Sequence, residues 1–349
     1  MKMNTINKYL IEDTSTIKDA LKSLNSLSSG SLVLFIIDKE QRIIGSLTDG
    51  DIRRGLLKDK EIYDCVLDFM NPNFKYLTLS TPLETVKEYK EKNIKVLPLL
   101  DEDFHLIKIV DLSKRKSLLP IDAVLMAGGK GERLRPLTEN TPKPLIQLGN
   151  KPIIDHNIDR LISYGIENIN VTVNYLGEQI EQHFTEPRNN IHIKTVREPQ
   201  YLGTIGSIKF VTEFHNDTIL VMNSDLFTNI NYEDFYLHFK EHDADMSVAA
   251  VPYNVNIPFG IFDLDGRCIK GIKEKPAYHY YANAGIYLFK SSMLDFIPNN
   301  KFFNATDFID ELIQKNKKVI RFPITGYWID IGRHEEYNKA KELVKHIND

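Results

Sequence analysis

The sequence predicts an α/β protein with a mixed, mainly parallel sheet, preceded by a smaller α+β module. Three observations support this class. Two similar helix–strand–strand segments precede residue 119, an apolar run ending in glycines spans 121–129, and helical and strand patterns alternate after it. A chain of 349 residues also exceeds one ordinary core. We therefore expect two domains, residues 1–118 and 119–349.

The first domain contains a degenerate internal repeat. Residues 31–52 and 94–114 share one pattern, in which an apolar strand, an acidic turn and a second apolar strand lead to a polar stop. Each copy follows a predicted helix, residues 15–27 and 81–92, that opens with a Ser or Thr cap. One copy is too small to bury its own apolar face, so we expect the two copies to pack together.

The second domain begins with 121–129, whose apolar character is typical of a buried parallel strand. The patterns that follow predict helices over residues 153–164, 177–184, 206–214 and 335–347, and strands over 169–174, 191–196 and 218–223. After residue 245 strand patterns dominate. We expect a mixed portion of the sheet there.

Composition excludes several classes of protein. The 44 Lys and Arg residues against 48 Asp and Glu give a net charge of −4, without the basic excess of a nucleic-acid binder. No apolar run reaches the length of a membrane span, and the N-terminus lacks the pattern of a signal peptide. Cys65 and Cys268 are far apart, which argues against a disulfide framework or a zinc site. These features predict a cytoplasmic protein.

A glycine-rich loop follows the apolar run at 121–129. Its sequence lacks the G-x-x-x-x-G-K-[ST] phosphate loop, and Leu134 occupies the last glycine position that a G-x-G-x-x-G would need. In open α/β sheets ligands bind where such loops leave the strand. Gly128, Gly129 and Gly131 would let backbone N–H groups approach phosphate oxygens.

Two cations follow this loop. Arg133 lies at a spacing suited to clamping the same phosphates with its fork of donors. Lys143 lies on a segment stiffened by a proline on either side.

The string G-G-x-G-x-R-L-x-P-L-T followed by P-K-P-L resembles the signature of sugar-1-phosphate nucleotidylyltransferases. Further segments that resemble this family occur in order, at residues 201–207, 223–225, 259–260, 274–276, 283–285 and 327–332. The resemblance covers residues 121 to about 340. It implies a Rossmann-like, glycosyltransferase-A-like domain.

The resemblance also implies roles for individual residues. The catalytic residues would be Arg133, Lys143 and Asp225, and the Mg²⁺ ligands Asp225 and Asp330. The nucleotide-binding residues would be Met126, Ala127, Gly128, Gly129, Gly131, Gly203 and Thr204. The sugar-phosphate-binding residues would be Gly260, Glu274, Lys275 and Asn283. This set fits the chemistry, because joining two polyanions needs positive charge and alignment, and an ionised phosphate nucleophile needs no general base.

Three positions depart from the family pattern. Ser224 replaces a glycine and Ile205 an alanine, and we expect both to reshape the nucleotide pocket. Glu132 in place of threonine is a milder change. No hexapeptide repeat follows residue 332, so the acetyltransferase half of bifunctional uridylyltransferases is not expected.

The repeated front region resembles a pair of CBS (cystathionine-β-synthase-type) modules. Residues 44–54 contain the G-h-h-T-x-x-D motif, in which Thr48 would contact the phosphate and Asp51 the ribose of an adenine nucleotide. The second copy has Asp111 and Lys114 at these positions. We therefore expect one nucleotide site or a purely structural pair.

The combination of modules is most like the bacterial glucosamine-1-phosphate guanylyltransferases of the legionaminic acid pathway. The implied reaction is GTP plus glucosamine 1-phosphate giving GDP-glucosamine and pyrophosphate, towards CMP-legionaminic acid. Mannose-1-phosphate guanylyltransferase and other sugar-1-phosphate nucleotidylyltransferases are alternatives, as is a nucleotide-sensing regulatory pseudoenzyme. We expect GTP or another NTP and a sugar 1-phosphate as partners, Mg²⁺ as cofactor, and a homo-oligomer.

Overall fold

A computed structural model describes residues 7–27 and 32–347 of the chain. The chain divides into two compact units, Met1–Leu118 and Leu119–Asp349. Within the described residues, no helix combines the length and the apolar character that crossing a membrane requires.

The first unit consists of two short β-sheets and their helices. Its elements in chain order are β1 (Leu10–Glu12), α1 (Ile17–Ser26), β2 (Val33–Ile37), β3 (Ile43–Thr48), α2 (Asp49–Leu56), α3 (Leu83–Glu91), β4 (Val96–Leu100) and β5 (Leu106–Asp111). Strand β2 pairs in parallel with β1 and antiparallel with β3, and β4 pairs antiparallel with β5.

The two repeats start their helices differently. In the first, the Thr16 hydroxyl accepts a hydrogen bond from the Asp19 N–H at 3.3 Å and caps α1, as expected. In the second, Pro82 occupies the cap position with φ of −60°. Thr81 instead accepts a bond from the Thr78 N–H at 2.7 Å. The predicted Ser or Thr cap is therefore wrong for α3, because proline already fixes the backbone angle that a helix start needs.

The repeats share a core. Phe35, Ile37 and Ile43 of the first copy form one buried cluster with Val96 and Leu100 of the second. This confirms that the copies pack together, as the burial argument predicts.

The second unit is a larger α/β domain. Its elements in chain order are β6 (Asp122–Ala127), β7 (Gln147–Leu148), β8 (Lys151–Pro152), α4 (Ile153–Ser163), β9 (Ile169–Val173), α5 (Gly177–His183), β10 (Lys194–Arg197), β11 (Thr218–Asn223), β12 (Leu226–Thr228), α6 (Tyr232–Glu241), β13 (Met246–Asn256), β14 (Ile261–Asp265), β15 (Cys268–Lys273), β16 (Ala277–Lys290), α7 (Ala305–Gln314), β17 (Val319–Pro323), β18 (Trp328–Asp330) and α8 (His334–Lys345).

A seven-stranded sheet runs through this unit in the order β10-β9-β6-β11-β16-β13-β17. The pairs from β10 to β11 are parallel, as is β13 with β17, whereas β16 is antiparallel to both neighbours. The mixed, mainly parallel sheet is therefore confirmed. Strands β6, β9 and β11 are almost wholly buried, which explains their continuous apolar sequences.

Two predicted elements differ from the structure. The strand expected over 191–196 begins only at Lys194, because Ile191 closes a tight turn with Arg188 through two backbone hydrogen bonds. The helix expected over 206–214 is a short 3₁₀ helix, Gly206–Phe210. Gly206 packs so closely on the Lys301 carbonyl that a Cβ would lie 2.8 Å from it.

A long ribbon leaves the sheet, and we call residues 252–282 the arm. The ends of β13 and β16 pair with each other over 252–256 and 277–281, and the β14–β15 hairpin continues beyond them. The last five residues of β13 are exposed, whereas most of its first five are buried. The arm therefore lies outside the packed sheet.

Candidate active site

The chemistry-bearing loops meet at one edge of the sheet. Strands β6 and β11 are parallel neighbours, and Met126 lies opposite Asn223. The glycine loop after β6 and the aspartate after β11 therefore emerge side by side.

Four charged side chains, Arg133, Lys143, Asp225 and Asp330, form what we call the phosphate cluster. Lys143 is only 8% exposed, and its Nζ donates to Asp225 Oδ2. The same Nζ lies 4.0 Å from Asp330 Oδ1. The structure thus brings together residues that are far apart in the chain.

Strand register positions the two aspartates. Asp225 directly precedes β12, and Asp330 ends β18. These strands are antiparallel, with Leu226 opposite Asp330. Arg133 approaches from the loop side, where its Nη2 lies 3.5 Å from the place that a Cβ on Gly332 would occupy.

The electrostatics of the cluster suit a cation. Burial raises the pKa of Asp330, and the nearby Asp225 charge raises it further, while Lys143 and Arg133 lower it. Asp225 Oδ1 is buried and has no hydrogen-bond partner in the described part of the chain. Such an oxygen is costly to leave unpaired, and a divalent cation would satisfy it.

The donor set fits Mg²⁺ bound partly by substrate. Carboxylate oxygens are the hard ligands that this ion prefers. Across residues 7–27 and 32–347, no group of three His, Cys, Asp or Glu side chains could hold a metal. Asp225 and Asp330 would therefore supply two ligands, and phosphates and water the others.

The glycine loop is held against the lysine segment. Gly131 has φ of +63°, and a Cβ there would lie 3.0 Å from Thr138 Cγ2 and 3.1 Å from Lys143 Cβ. The Thr138 hydroxyl donates to the Gly131 carbonyl at 2.8 Å. Glycine is needed here both for its conformation and for the close approach.

A buried carboxylate that sequence reasoning missed lies beside this loop. Glu198 follows β10 and is 3% exposed. Its Oε2 accepts from the Leu202 N–H at 3.2 Å, and its Oε1 faces Gly128, where any Cβ would collide with it. Burial raises the pKa of Glu198 to about 7. Its place just after a parallel strand, at the ligand-binding edge, is the signal that could have identified it.

The predicted nucleotide segment is fixed to helix α7. Gly203 has φ of +83° and packs against the Phe303 carbonyl, where a Cβ would lie 2.6 Å away. The Thr204 hydroxyl accepts from the Ala305 N–H at 2.8 Å. Ile205 is fully buried in the core cluster that also contains Val124, so its side chain lines no pocket directly, and its expected effect on the nucleotide pocket stays a prediction.

Ser224 acts on the site through the backbone. It is 3% exposed, and both its N–H and its hydroxyl donate to the Met126 carbonyl, at 3.2 and 2.8 Å. Ser224 therefore ties the ends of β6 and β11 together instead of lining the pocket. The carbonyl of Met126, a residue expected to bind the nucleotide, therefore already accepts two hydrogen bonds.

A cleft of about 360 Å³ adjoins the phosphate cluster. Its walls are mostly polar and come from five parts of the chain: Thr204, Asn223, Leu226, Asn283, Ala284, Gly285, Tyr287, Asn304, Ala305, Thr306, Trp328 and Asp330. Asn283 is held by bonds to the Tyr287 hydroxyl at 3.0 Å and from the Gly285 N–H at 2.9 Å. The cleft has the size of a small-molecule site.

Three predicted sugar-phosphate residues lie elsewhere. Gly260 and Glu274 adjoin each other at the base of the β14–β15 hairpin, and Lys275 follows with φ of +45°. None of them lines the cleft. Strand β16 continues from Asn283 to Ala277, about 20 Å at 3.3 Å per residue. The expected convergence of Gly260, Glu274 and Lys275 with Asn283 is therefore not seen.

The first unit has its own cleft, of about 320 Å³, between the two repeats. It is lined by Leu32, Val33, Phe35, Ser46, Thr48, Asn71, Lys75, Ile94, Lys95, Val96 and Leu97. Thr48 is present, as expected. Asp51 does not line the cleft. Its carboxylate accepts hydrogen bonds from the N–H and the hydroxyl of Thr48, at 2.9 and 2.6 Å, and from Arg54 at 2.6 Å. It caps α2, and its expected contact with a ribose stays a prediction.

The second repeat lacks an equivalent of α2. Asp111 accepts from the Ser113 N–H at 3.0 Å and starts only a 3₁₀ turn, Leu112–Lys114. A CBS-domain family model matches residues 3–58, which is the first repeat alone.

Comparison with known proteins gives relatives for the second unit. A mannose-1-phosphate guanylyltransferase catalytic subunit beta of Drosophila melanogaster is 29% identical over 224 residues, covering 62% of this chain and 60% of its own. The bifunctional protein GlmU of Methanocaldococcus jannaschii is 33% identical over 236 residues, covering 65% and 55%. The chain therefore spans less than two thirds of the length of these curated relatives.

Solved structures agree on the fold. HddC from Yersinia pseudotuberculosis, complexed with GMP-PN, is 26% identical with a TM-score of 0.50, covering 64% of this chain and 99% of its own. A putative glucose-1-phosphate thymidylyltransferase from Bacillus anthracis is 23% identical with a TM-score of 0.53, covering 66% and 97%. The nucleotidyl transferase family model matches residues 122–346, from the first strand of the sheet to the last helix. The chain therefore belongs to the nucleotidyl transferase family.

Proposed function

We propose that the chain transfers a nucleoside monophosphate from an NTP to a sugar 1-phosphate, releasing pyrophosphate, and that its substrates are GTP and glucosamine 1-phosphate. The observation that carries the proposal is the phosphate cluster. A buried lysine, two aspartates and an arginine adjoin a glycine loop at the carboxyl edge of a parallel sheet.

The reaction needs charge compensation more than proton transfer. A phosphate oxygen of the sugar 1-phosphate would attack the α-phosphorus, and the bond to pyrophosphate would break. The nucleophile is already ionised, so no base is needed. Arg133 would hold the triphosphate, and Lys143 would neutralise the charge that develops on the α-phosphate.

Mg²⁺, held by Asp225 and Asp330, would supply further positive charge at the phosphates. Lys143 now pairs with the carboxylate of Asp225. With Asp225 holding the ion, the ammonium group of Lys143 would be left to the substrate.

Glu198 supports guanine as the base. Its carboxylate adjoins Gly128 of the loop and would repel phosphate there, so we propose that the base, and not a phosphate, approaches it. Guanine presents two N–H donors on its Watson–Crick edge, and a carboxylate accepts both. Uracil and thymine present one donor between two carbonyls, which Glu198 would repel. A site of this kind rejects bases that leave its polar groups unpaired.

The sugar side is supported by the polar cleft. Asn283 is held with its amide at the wall and would bond a sugar hydroxyl. Glu274 would contact a hydroxyl and Lys275 the sugar phosphate if the arm approaches the cleft. The choice of glucosamine, and of the legionaminic acid pathway, depends on the resemblance of the joined modules.

Mannose-1-phosphate guanylyltransferase is the alternative that the curated relatives favour, since several carry that name. A regulatory pseudoenzyme is disfavoured because Arg133, Lys143, Asp225 and Asp330 are all present. A simple adenylate-binding module would not need residues 119–349.

The test is a pyrophosphate-release screen of GTP, UTP, CTP, dTTP and ATP against glucosamine, mannose and glucose 1-phosphates. We expect the highest kcat/KM with GTP and glucosamine 1-phosphate. A preference for mannose 1-phosphate would replace the sugar assignment, and a preference for UTP would contradict the role of Glu198.

For the first unit we propose an adenine nucleotide as ligand of the inter-repeat cleft. Apolar walls would cover the base, and Lys75, Lys95 and Thr48 would face the phosphate. This assignment adds two lysines to the phosphate contact expected of Thr48.

A further inference from the structure

Helix α4 contains a buried asparagine among apolar side chains. Asn157 is 2% exposed, and Ile153, Ile154, Ile158 and Leu161 of the same helix are fully buried. Asparagine is a poor residue for the interior of a helix, because its amide competes with the backbone for hydrogen bonds. A polar side chain buried at such a position needs partners outside the helix.

The partners of Asn157 are the backbone carbonyls on either side of Asp225. Its Nδ2 donates to the Leu226 carbonyl at 2.8 Å and to the Ser224 carbonyl at 3.3 Å. Both partners are acceptors, so the amide must turn its NH₂ group towards them. Ser224 and Leu226 are themselves buried. One side chain therefore holds the main chain before and after an aspartate that is proposed to bind Mg²⁺.

The need for this donor follows from the pairing of strand β12. Among the residues that the structure describes, β12 pairs only with β18. The Asp225 carbonyl turns towards that partner and accepts from the Ile331 N–H at 3.2 Å. Successive carbonyls of an extended chain point to opposite sides, so the Leu226 carbonyl faces away from β18. Asn157 supplies there the donor that a further strand would otherwise supply.

The main chain at Asp225 is thus held from three directions. Ser224 is tied to β6, the Ile331 N–H binds the Asp225 carbonyl, and Asn157 binds the two flanking carbonyls. The carboxylate has less support of its own. Its Oδ2 accepts from Lys143, and its Oδ1 is buried without a hydrogen-bond partner in the described part of the chain. The position of the carboxylate therefore depends on the backbone that carries it.

Strand register extends this dependence to Asp330. Leu226, whose carbonyl Asn157 holds, lies opposite Asp330 in the β12–β18 pair. A shift of β12 would therefore change the spacing between the carboxylates of Asp225 and Asp330. Mg²⁺ demands nearly ideal octahedral geometry, so its affinity is sensitive to that spacing.

We propose that Asn157 is a positioning residue for the two metal-binding aspartates, an inference that rests on the proposed function. Its amide bonds to the main chain around Asp225 and not to the substrate. Groups that orient metal ligands in this indirect way typically change metal affinity by about 10- to 100-fold when they are removed. We expect a change at the lower end of that range, because the other two attachments of Asp225 remain.

A second residue of α4 provides a matched control. Arg160 donates from Nε to the Ile230 carbonyl at 3.2 Å and from Nη2 to the Asn229 carbonyl at 2.5 Å, just beyond the other end of β12. Arg160 therefore holds the main chain in the same manner as Asn157, but at a point that carries no carboxylate. Loss of either side chain should lower the Tm, whereas only loss of Asn157 should weaken metal binding.

The test titrates Mn²⁺, a paramagnetic substitute for Mg²⁺, into the full chain and measures the bound ion by water proton relaxation. Asn157→Leu removes the donors at similar volume and should raise the Kd for Mn²⁺ on the order of tenfold. Arg160→Gln should leave this Kd unchanged. Asp225→Ala should abolish the binding and so identifies the site. Asn157→Ala removes the same donors without new bulk and takes the place of the leucine variant if that variant does not fold.

An unchanged Kd in a folded Asn157 variant would overturn the proposal, as would an equal rise in Kd for Arg160→Gln, which would show a general loosening of β12. A wild type that binds no Mn²⁺, or that binds it equally well after Asp225→Ala, would overturn both this inference and the metal assignment. The titration needs no turnover. A chain that shows the expected Kd values but transfers no nucleotide would therefore contradict the proposed function alone.

Discussion

The phosphate cluster and the arm are built in opposite ways. Lys143 begins a 3₁₀ turn, Asp225 lies between β11 and β12, and Asp330 ends β18, so packing around the sheet fixes them before any substrate binds. Glu274 and Lys275 lie on an exposed ribbon, just before β16, whose stretch from Ala277 to Asn283 spans about 20 Å. Preorganised charge therefore lies at the proposed phosphate end, whereas two residues proposed to contact the sugar phosphate lie on an exposed ribbon.

The largest effects should come from the preorganised end. Asp225→Ala or Asp330→Ala should lower kcat by on the order of 10²-fold or more, because each removes a carboxylate proposed to hold Mg²⁺. Steady-state pyrophosphate release with and without EDTA measures this. Unchanged turnover in EDTA would contradict the metal assignment.

Lys143→Ala should lower kcat by on the order of 10²-fold while changing the KM for GTP little, because its charge is used mainly in the transition state. Lys240→Ala, an exposed lysine on α6, is the control and should retain wild-type kinetics. A Lys143 variant with normal kcat and a raised KM would place this lysine in ground-state binding.

Glu198→Gln should lower kcat/KM for GTP by roughly 10²-fold, since two charge-assisted hydrogen bonds to guanine are weakened. In the wild type, kcat/KM for GTP should fall as the pH drops below about 7, where Glu198 becomes protonated. The variant should lack this titration. Glu213→Gln, an exposed carboxylate, should retain it.

The same raised pKa affects stability. The native state holds a proton on Glu198 between its ordinary pKa of 4.5 and about 7, where the unfolded state has lost it. The free energy of unfolding should therefore fall as the pH rises through this window. Thermal unfolding of Glu198→Gln should show a smaller fall, and an identical pH profile would contradict the raised pKa.

Lys275→Ala should have a smaller effect, raising the KM for sugar 1-phosphate about tenfold with the KM for GTP unchanged. Lys273→Ala, two residues away, is the control. Equal, unchanged KM values in both variants would show that the arm does not contact the substrate.

The smallest effect should lie in the first unit. Lys95→Ala should weaken binding of AMP to the full chain about tenfold, and Lys87→Ala, on the exposed side of α3, should not. Calorimetric titration measures both. Equal affinity in the two variants would place the nucleotide outside the inter-repeat cleft.

Sequence reasoning succeeded where buried strands carry the chemistry. The glycine loop follows an apolar strand, as the carboxyl-edge rule requires, and the resemblance assigned Asp225 to the same site; the register of Met126 with Asn223 places the two side by side. Distances between such loops depend on packing. The pairing of Lys143 with Asp225 could therefore not be derived from their positions in the chain.

Its failures have physical reasons of two kinds. Local hydrogen bonds hold Asp51 at the start of α2 and Ser224 at the Met126 carbonyl, and neither bond could be derived from the motifs. The order of motifs along the chain does not give the distances between them. Glu274 was therefore grouped with Asn283, although the first part of strand β16 separates the two. Glu198 was missed because the contact that distinguishes it, with Gly128, joins two loops distant in sequence.

The central claim is that the phosphate cluster is a working transfer centre. The most direct measurement is a single-turnover reaction of the full chain with GTP labelled at the α-phosphate, glucosamine 1-phosphate and Mg²⁺, with wild type and Lys143→Ala in parallel. The account predicts that wild type forms labelled GDP-sugar and unlabelled pyrophosphate in equal amounts. The rate should be lower by on the order of 10²-fold in the variant. GTP binding without any labelled nucleotide sugar, from this or any other sugar 1-phosphate, would contradict it and favour a regulatory nucleotide-binding protein.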